Sequence, residues 1–325
     1  MGVAGGLGEG AVVLRWRFGR FSATINGMWA GRPGKPDSTA MRFAELYAQA
    51  LDRLGDPRPP LRVGALHTLE AISQDHPAGR PAIVDVICAY LRMSGDGDRS
   101  VRATAQLILA AHLRPGGSGF WPGTSLDLRG ATLTDLDLSG CLIDRLILDD
   151  AVLVGPARLR DLCVGGATSM VRAVFRDHAW LERSRFHGPL RLERVSFHGD
   201  AWFGAAQFGG PSSFVAADFS GHAWFGGCAF CAPVDFSEAV FRRSVGFRGA
   251  AVGPINLNGT TFLGPARVSR RSEAWNVRAP GWTTVVDPDN GAVGQLLWIG
   301  SAYLGRTEIG HAQVERQPEE PLTPV

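Results

Sequence analysis

Lysine is almost absent from this sequence: Lys35 is the only one among 33 basic residues, and the others are arginines scattered along the chain. No arginine cluster stands out, so this bias points to a GC-rich coding genome rather than to a binding site. An excess of charge is missing too, since the formal net charge is +2. Such a chain has no global field that would draw it to nucleic acid or to anionic lipid.

A disulfide framework and a membrane span are also missing. The five cysteines are odd in number and irregularly spaced, which favours a reducing, cytoplasmic setting over a disulfide-linked fold. No segment reaches the roughly 18 uninterrupted apolar residues of a transmembrane helix. The N-terminal stretch lacks the order of charge, apolar core and cleavage site that defines a signal peptide.

Catalytic signatures are missing as well. The sequence has no GxSxG, HExxH or P-loop pattern, and no carboxylate pair stands apart from the general scatter of acidic residues. The glycine cluster GVAGGLGEG has neither a preceding strand nor a following helix, so it does not predict a nucleotide site. We therefore predict a protein that is not an enzyme and that has no cofactor and no metal site.

Two patterns resemble metal sites without satisfying their requirements. Cys228 and Cys231 form a CxxC, but no second pair exists, and Cys228 falls in an inward slot of the repeat described below. We interpret it as structural. His178, Asp200 and His222 recur at intervals of 22 residues. They could bind a metal, but we favour an exposed, solvated corner.

The N-terminal third divides into an arm and a helical module. Residues 1–36 are rich in glycine and have no sustained period, so we expect a poorly ordered arm. Residues 37–115 have apolar positions at helical spacing and predict four short amphipathic helices with a loose HEAT-like character. The GDPRPP segment should end the first helix, because proline lacks a donor and restricts the residue before it.

The period then shortens to five residues. From Leu128 to Val268, 27 successive positions are all Leu, Ile, Val, Met or Phe. They lie first five and then alternately six and five residues apart, and the alternation lapses after Phe247. A smaller residue such as Ala131 or Ala201 usually stands two positions earlier. In an extended backbone, residues two apart point the same way. Each unit therefore sends one small and one large side chain inward and then turns.

This pattern resembles the pentapeptide repeat family. GATLTDLDLSGC (130–141) matches the family rule closely, and FSEAVFRRSVGF (236–247) is a looser version. The resemblance implies an α+β protein in which a right-handed quadrilateral β-helix, over residues 116–272, follows the all-α module. The helical region is similar to the N-terminal partner of bacterial, actinobacterial-type pentapeptide repeat proteins. Such relatives often carry a membrane segment before the helices, and residues 1–36 do not supply one.

A coil of two five-residue and two six-residue sides contains 22 residues, so residues 22 apart should lie directly above one another. Trp180, Trp202 and Trp224 have this spacing, and each precedes an inward position. They should form an outward column with Arg158 at one end and Gly246 at the other. Neighbouring strands are close enough for the rings to stack offset. The column is either a stabilising ladder or the candidate interaction strip of the protein, and both interpretations stay open.

Pro189, Pro211 and Pro233 should form a second column at a corner, where a missing donor costs no ladder bond.

Three functions compete. The first is a non-catalytic scaffold or protein-interaction module with an unknown protein partner, in which the helices cap the open end of the coil. The second is a DNA mimic that modulates gyrase, but 14 acidic and 15 basic residues between positions 121 and 270 give a nearly neutral rod. The third is an enzyme hidden in the terminal regions. We expect no direct binding of nucleic acid, and a homodimer stays open. Residues 273–325 should hold a cap segment and a disordered tail.

Overall fold

The computed structural model describes residues 38–93, 99–117, 119–252, 254–264, 266–269, 282–286 and 293–298. In this part of the chain, four helices precede a parallel β-solenoid of about six turns. The predicted fold class, α+β with a four-sided β-helix, is confirmed. The predicted arm of residues 1–36 and most of residues 273–325 lie outside the described residues.

The helical module consists of α1 (Ser38–Leu54), α2 (Pro59–Asp75), α3 (Arg80–Arg92) and α4 (Arg99–Leu113). As predicted, α1 ends before the GDPRPP segment, and the last two prolines of that segment, Pro59 and Pro60, occupy the first turn of α2. The apolar faces of the helices meet in one buried core. None of the described helices is long and apolar enough to cross a membrane.

The solenoid has four faces, which the chain visits in the order face 1, face 2, face 3 and face 4 in every coil. Within each face the short strands of successive coils pair in parallel. Face 1 contains Leu126–Asp127, Leu146–Ile147, Thr168–Ser169, Leu190–Arg191, Ser212–Ser213, Val234–Asp235 and Ile255–Asn256. Face 2 contains Thr132–Thr134, Val152–Val154, Val174–Phe175, Ser196–Phe197, Asp218–Phe219, Val240–Phe241 and Thr261–Phe262.

Face 3 contains Ala157–Arg158, Ala179–Trp180, Ala201–Trp202, Ala223–Trp224, Val245–Phe247 and Ala266–Ser269. Face 4 contains Leu142–Ile143, Cys163–Val164, Arg185–Phe186, Gln207–Phe208, Ala229–Phe230 and Ala251–Val252. Two further strands, Val293–Trp298 and Trp282–Val286, extend face 3 by antiparallel pairing beyond Ala266–Ser269. They are the part of the predicted cap segment that the structure describes.

The interior of the solenoid is filled by the large inward residues. Phenylalanines of successive coils stack on one another: the ring centroids of Phe203 and Phe225 are 4.7 Å apart and their planes differ by 7°. The small residue of each unit, such as Ala201 or Ala223, is buried beside them. The large and small inward pair read from the sequence is therefore the packing unit of the core, and the close stacking adds to the burial energy.

Two corners of each coil depend on left-handed backbone. At the corners after face 1 and after face 3, a four-residue turn places its third residue at positive φ, for example Asp161 (55°) and Ala216 (54°). The turn at Ala216 closes with a hydrogen bond from the Ala217 amide to the Phe214 carbonyl. Glycine is the residue that adopts this conformation without strain. Here it alternates with Asp, Arg, Ala and Glu, so the sequence does not mark these corners.

The helical module covers the first coil, whose strand carbonyls have no coil beneath them. Arg92 donates to the Asp127 carbonyl at 2.5 Å, and Arg102 donates to the Thr132 carbonyl at 2.6 Å. Gln106 donates to the Thr134 carbonyl, and Arg114 donates to the Ser139 carbonyl. The side chains of α3 and α4 thus satisfy acceptors of an otherwise open strand edge.

An aromatic contact joins the module to the solenoid. Trp121, just before the first strand, is fully buried and stacks on His112 of α4, with ring centroids 4.2 Å apart. His112 also contacts Glu70 of α2, whose carboxylate lies 2.7 Å from Nε2 of His112. Burial raises the pKa of Glu70, but the hydrogen bonds from His67 and His112 outweigh it and hold that pKa below its ordinary value.

Candidate functional site

Trp180, Trp202 and Trp224 form one column on face 3, which we call the Trp strip. Trp180 pairs in register with Trp202, and Trp202 pairs with Trp224. As the coil of 22 residues requires, the strip has Arg158 beneath it and Gly246 above it. All three indoles point outward and are half-buried, whereas the residues on either side of each in the strand are buried.

Two indoles of the strip, Trp202 and Trp224, are tilted rather than stacked in parallel. The rings of Trp202 and Trp224 have centroids 6.2 Å apart and planes that differ by 40°. The offset stack expected from strand spacing alone is therefore wrong for this pair. Glycines beside Trp224 explain the tilt: a Cβ at Gly246 would lie 3.2 Å from the ring, and one at Gly226 would lie 2.9 Å from Nε1. Because no side chain stands there, the indole lies over the glycines at the border with face 4.

Two arginines cover the lower end of the strip. The guanidinium carbons of Arg158 and Arg160 lie 5.7 Å and 5.4 Å from the centroid of the Trp180 ring. Arg160 also makes a two-pronged contact with Glu182 of the next coil, at 3.0 and 3.1 Å. Arg158, which the 22-residue spacing placed at this end of the column, thus lies on the Trp180 ring, and so does Arg160, which the sequence analysis did not single out. Cation–π contacts of this kind stabilise partly exposed rings by about 0.5–1 kcal/mol.

The column of His178, Asp200 and His222 borders the strip at the corner with face 2. Nδ1 of His178 accepts the backbone N–H of Asp200 at 3.0 Å, and Oδ1 of Asp200 accepts the backbone N–H of His222 at 2.8 Å. Nδ1 of His222 lies 2.6 Å from the hydroxyl of Ser244. These side chains bind the coil above them, which gives the column a structural role beyond the solvated corner that we expected.

The described residues contain no group of three or more His, Cys, Asp or Glu arranged to hold a metal ion. The CxxC is split as predicted: Cys228 is buried with Sγ 3.0 Å from the Phe203 carbonyl, and Cys231 is exposed. Burial raises the pKa of the Cys228 thiol to about 12, and those of Cys88 to about 12 and Cys141 to about 11. These three remain thiols at neutral pH, which is the inert form of cysteine.

Three ion pairs join neighbouring coils on the outside of the solenoid. Arg172 pairs with Asp150, Arg183 with Asp161, and Arg242 with Asp218. The first two pairs join residues 22 apart in the sequence, a signal that could have been found from the spacing alone. Hydrogen bonds from these arginines hold the pKa values of the three aspartates below their ordinary value.

The proline column lies on the other side of the rod, at the corner between faces 4 and 1. Pro189, Pro211 and Pro233 are exposed, and Pro254 extends the column by one coil. We call these four residues the Pro ladder. Together with the outward residues of face 1, such as Arg191 and Ser213, they line a shallow groove of about 580 Å³. No protein-family model, curated protein or solved structure matches this chain.

Proposed function

We propose that this chain is a pentapeptide repeat protein that acts without catalysis, as a scaffold or protein-interaction module, and that the Trp strip is its interaction surface. The five- and six-residue sides, each with one small and one large inward residue, support the family assignment. The helices cover the open end of the coil, as they do in a solenoid that uses its sides for binding.

The observation that carries the proposal is the alignment of three outward, half-buried indoles in one column on face 3. Tryptophan is enriched at the centres of protein interfaces because it buries a large area and carries one donor. The indoles of the strip are half-buried in the free chain, and glycines leave the ring of Trp224 uncovered by neighbouring side chains. The strip is thus an apolar platform with two arginines at its lower end, which fits the flat side of a protein partner.

The paired surface charge supports this proposal over DNA mimicry. A mimic needs a row of unopposed carboxylates that imitates the phosphates of a duplex. Asp150, Asp161 and Asp218 each face an arginine instead. A supercoiling assay tests this point. We expect no inhibition of gyrase at micromolar protein, and inhibition would favour the DNA mimic over the interaction module.

The experiment for the strip is affinity capture from the native host with the wild-type chain and with the double variant Trp202→Ala, Trp224→Ala. A matched control, Gln207→Ala, changes an outward residue on face 4. We expect the wild type and the control to retain the same partners and the double variant to lose them. An unchanged set of partners for a folded double variant would refute the role of the strip.

A further inference from the structure

His112 lies where the helical module meets the solenoid, and its imidazole ring is largely buried. The residue belongs to α4. Its ring contacts Glu70 of α2 and Trp121, which stands just before the first strand of the solenoid. Only 12% of the His112 side chain is exposed, and Trp121 is fully buried. The protonation state of the ring therefore depends mainly on the protein groups that surround it.

Both ring nitrogens of His112 face an oxygen that can only accept a hydrogen bond. Nδ1 lies 2.6 Å from the carbonyl oxygen of Gly119, and Nε2 lies 2.7 Å from Oε1 of Glu70. Burial raises the pKa of Glu70, but the hydrogen bonds from His67 and His112 outweigh burial and hold that pKa below its ordinary value, so Glu70 is a carboxylate at neutral pH. A neutral imidazole carries one proton, and its other nitrogen would turn a lone pair toward one of these oxygens. Both contacts are hydrogen bonds only when the ring carries two protons.

The amide of Gln74 is a third polar group beside the ring. Its Nε2 lies 3.2 Å from Nδ1 of His112, farther away than the Gly119 carbonyl oxygen. An amide N–H there would donate to a neutral ring, but Nδ1 would still oppose the closer carbonyl. The two ends of a glutamine side chain can exchange places, so the amide oxygen can accept from a protonated Nδ1 instead. Gln74 thus suits either state of the ring, whereas Gly119 suits only the protonated Nδ1.

The close approach of the Gly119 backbone to the ring depends on glycine. A Cβ at this residue would lie 2.9 Å from Nδ1 of His112 and 3.2 Å from Nε2 of Gln74. The backbone N–H of Trp121 also donates to the His112 carbonyl at 2.8 Å. Residues 119–121 are therefore joined to the same histidine through its backbone, its ring edge and its ring face.

The charged groups around the ring favour the imidazolium. On α2, the Glu70 carboxylate contacts the ring directly, and the exposed His67 contacts the other oxygen of that carboxylate. On α4, Arg114 pairs with Asp137 of the solenoid. Toward the solenoid the ring lies flat on the indole of Trp121, whose face attracts a cation.

We propose that His112 is a pH-sensitive switch that couples the helical module to the solenoid. With two protons, the ring joins α2 to residues 119–121 and holds the helices over the first coil. When the ring releases one proton to water, either the Glu70 contact or the Gly119 contact loses its hydrogen bond. The attraction of the ring to the carboxylate and to the indole decreases at the same time, and the helices protect the first coil less well. This inference goes beyond the Trp strip and does not depend on it.

The direction of the pH effect follows from the number of protons bound. A histidine in an open or unfolded chain loses its second proton near about pH 6.5, whereas the closed junction retains it. The closed state then binds more protons than the open state, so the stability of the junction is complete below this pH and decreases as the pH rises. One extra bound proton changes the opening equilibrium by about tenfold per pH unit. The effect ends at the pH where the closed junction also loses the proton.

Nitrogen NMR of the full chain with ¹⁵N-labelled histidine tests the protonation state. The signals of His112 are identified by their loss in the variant His112→Gln. We expect both ring nitrogens to carry protons at about pH 7.5, one unit above the ordinary value for histidine. A ring with a single proton at that pH would overturn the proposal.

Amide exchange of residues 119–128, corrected for the intrinsic effect of pH, tests the coupling between about pH 7 and pH 8.5. In the wild type and in the control His187→Gln, which replaces an exposed histidine of the solenoid, opening should increase by up to about tenfold per pH unit. In His112→Gln, exchange should be faster at pH 7 and should show no such increase. The same increase in this variant would refute the switch.

Far-UV circular dichroism checks that His112→Gln is folded, and Glu70→Gln provides a second variant if it is not. Glu70→Gln keeps the shape of the side chain but removes the negative charge that favours the imidazolium. We expect the increase in exchange above pH 7 to disappear, because the ring is then neutral throughout this range. An unchanged increase in Glu70→Gln would overturn the proposal as well.

Discussion

Arg183 and Asp161 belong to adjacent coils and form a two-pronged ion pair, with Nε–Oδ1 and Nη2–Oδ2 distances of 2.8 and 2.7 Å. Both residues occupy left-handed corners, with φ of 56° and 55°. Arg172 and Asp150 repeat this arrangement at the other left-handed corner, which follows face 1. These two pairs join adjacent coils along the outside of the rod.

The ion pairs between coils predict an acid-sensitive component of stability. The arginines lower the folded-state pKa values of Asp150, Asp161 and Asp218. A lowered carboxylate pKa contributes stability that is complete above the unfolded value and is lost as the pH falls through the folded value. The free energy of unfolding should therefore decrease below about pH 4, and Asp161→Asn should flatten that decrease slightly. Urea unfolding at stepped pH measures it. An identical pH profile in the variant would show that the pair contributes nothing.

The left-handed corners predict a stabilising substitution. Ala216 has φ of 54°, where an alanine is strained by roughly 1–2 kcal/mol relative to glycine. Ala216→Gly should raise the free energy of unfolding by about 0.5–1 kcal/mol, since the greater freedom of glycine in the unfolded chain offsets part of the gain. The neighbouring Ala217→Gly, in a buried inward slot, is the matched control and should destabilise. Destabilisation by both changes would argue against relief of strain.

At the corner between faces 4 and 1, the change from glycine to alanine should destabilise the fold, because the added Cβ meets the coil below. A Cβ at Gly210 would lie 2.6 Å from the carbonyl carbon of Gly188, whereas one at Gly204 would have its nearest neighbour at 3.8 Å. Gly210→Ala should cost about 1–3 kcal/mol, as overpacking does, and Gly204→Ala should be close to neutral. Equal effects at the two glycines, measured by chemical unfolding, would contradict the close coil-to-coil approach.

The cap of the first coil predicts a coupling between the helical module and the solenoid. Arg102 donates to the carbonyls of Met93, Leu91 and Thr132, which joins α3, α4 and the first strand of face 2. Arg102→Met keeps most of the apolar stem but removes the guanidinium, which takes this donor from the part-buried carbonyls of Leu91 and Met93, at a cost of about 1–3 kcal/mol each. We expect a clear loss of thermal stability and faster amide exchange in residues 126–134. Unchanged exchange there would show that the module does not protect the strand edge.

The sequence predicted the inward ladder, the coil of 22 residues and the columns built on it, because each depends on a repeat that residue type reveals. Phe203 occupies a slot for a large apolar side chain, and Ala201 occupies a slot for a small side chain. The left-handed corners escaped prediction because Asp, Arg, Ala and Glu fill them as well as Gly. The cap by Arg102 and Gln106 depends on how the helices sit on the coil, which no local pattern encodes. The tilt of Trp224 depends on Gly226 and Gly246, residues from other coil positions.

The central claim is that the Trp strip serves binding rather than holding the coils together. Urea unfolding of Trp202→Ala, Trp224→Ala beside Phe203→Ala, Phe225→Ala tests it most directly, since the two pairs are sequence neighbours on opposite sides of the same strands. The buried phenylalanines should cost about 3–5 kcal/mol each. The tryptophan pair should cost less than about 3 kcal/mol in total, from partial burial and one aromatic contact. A loss for the tryptophans as large as that for the phenylalanines would make the strip a structural element and contradict the account.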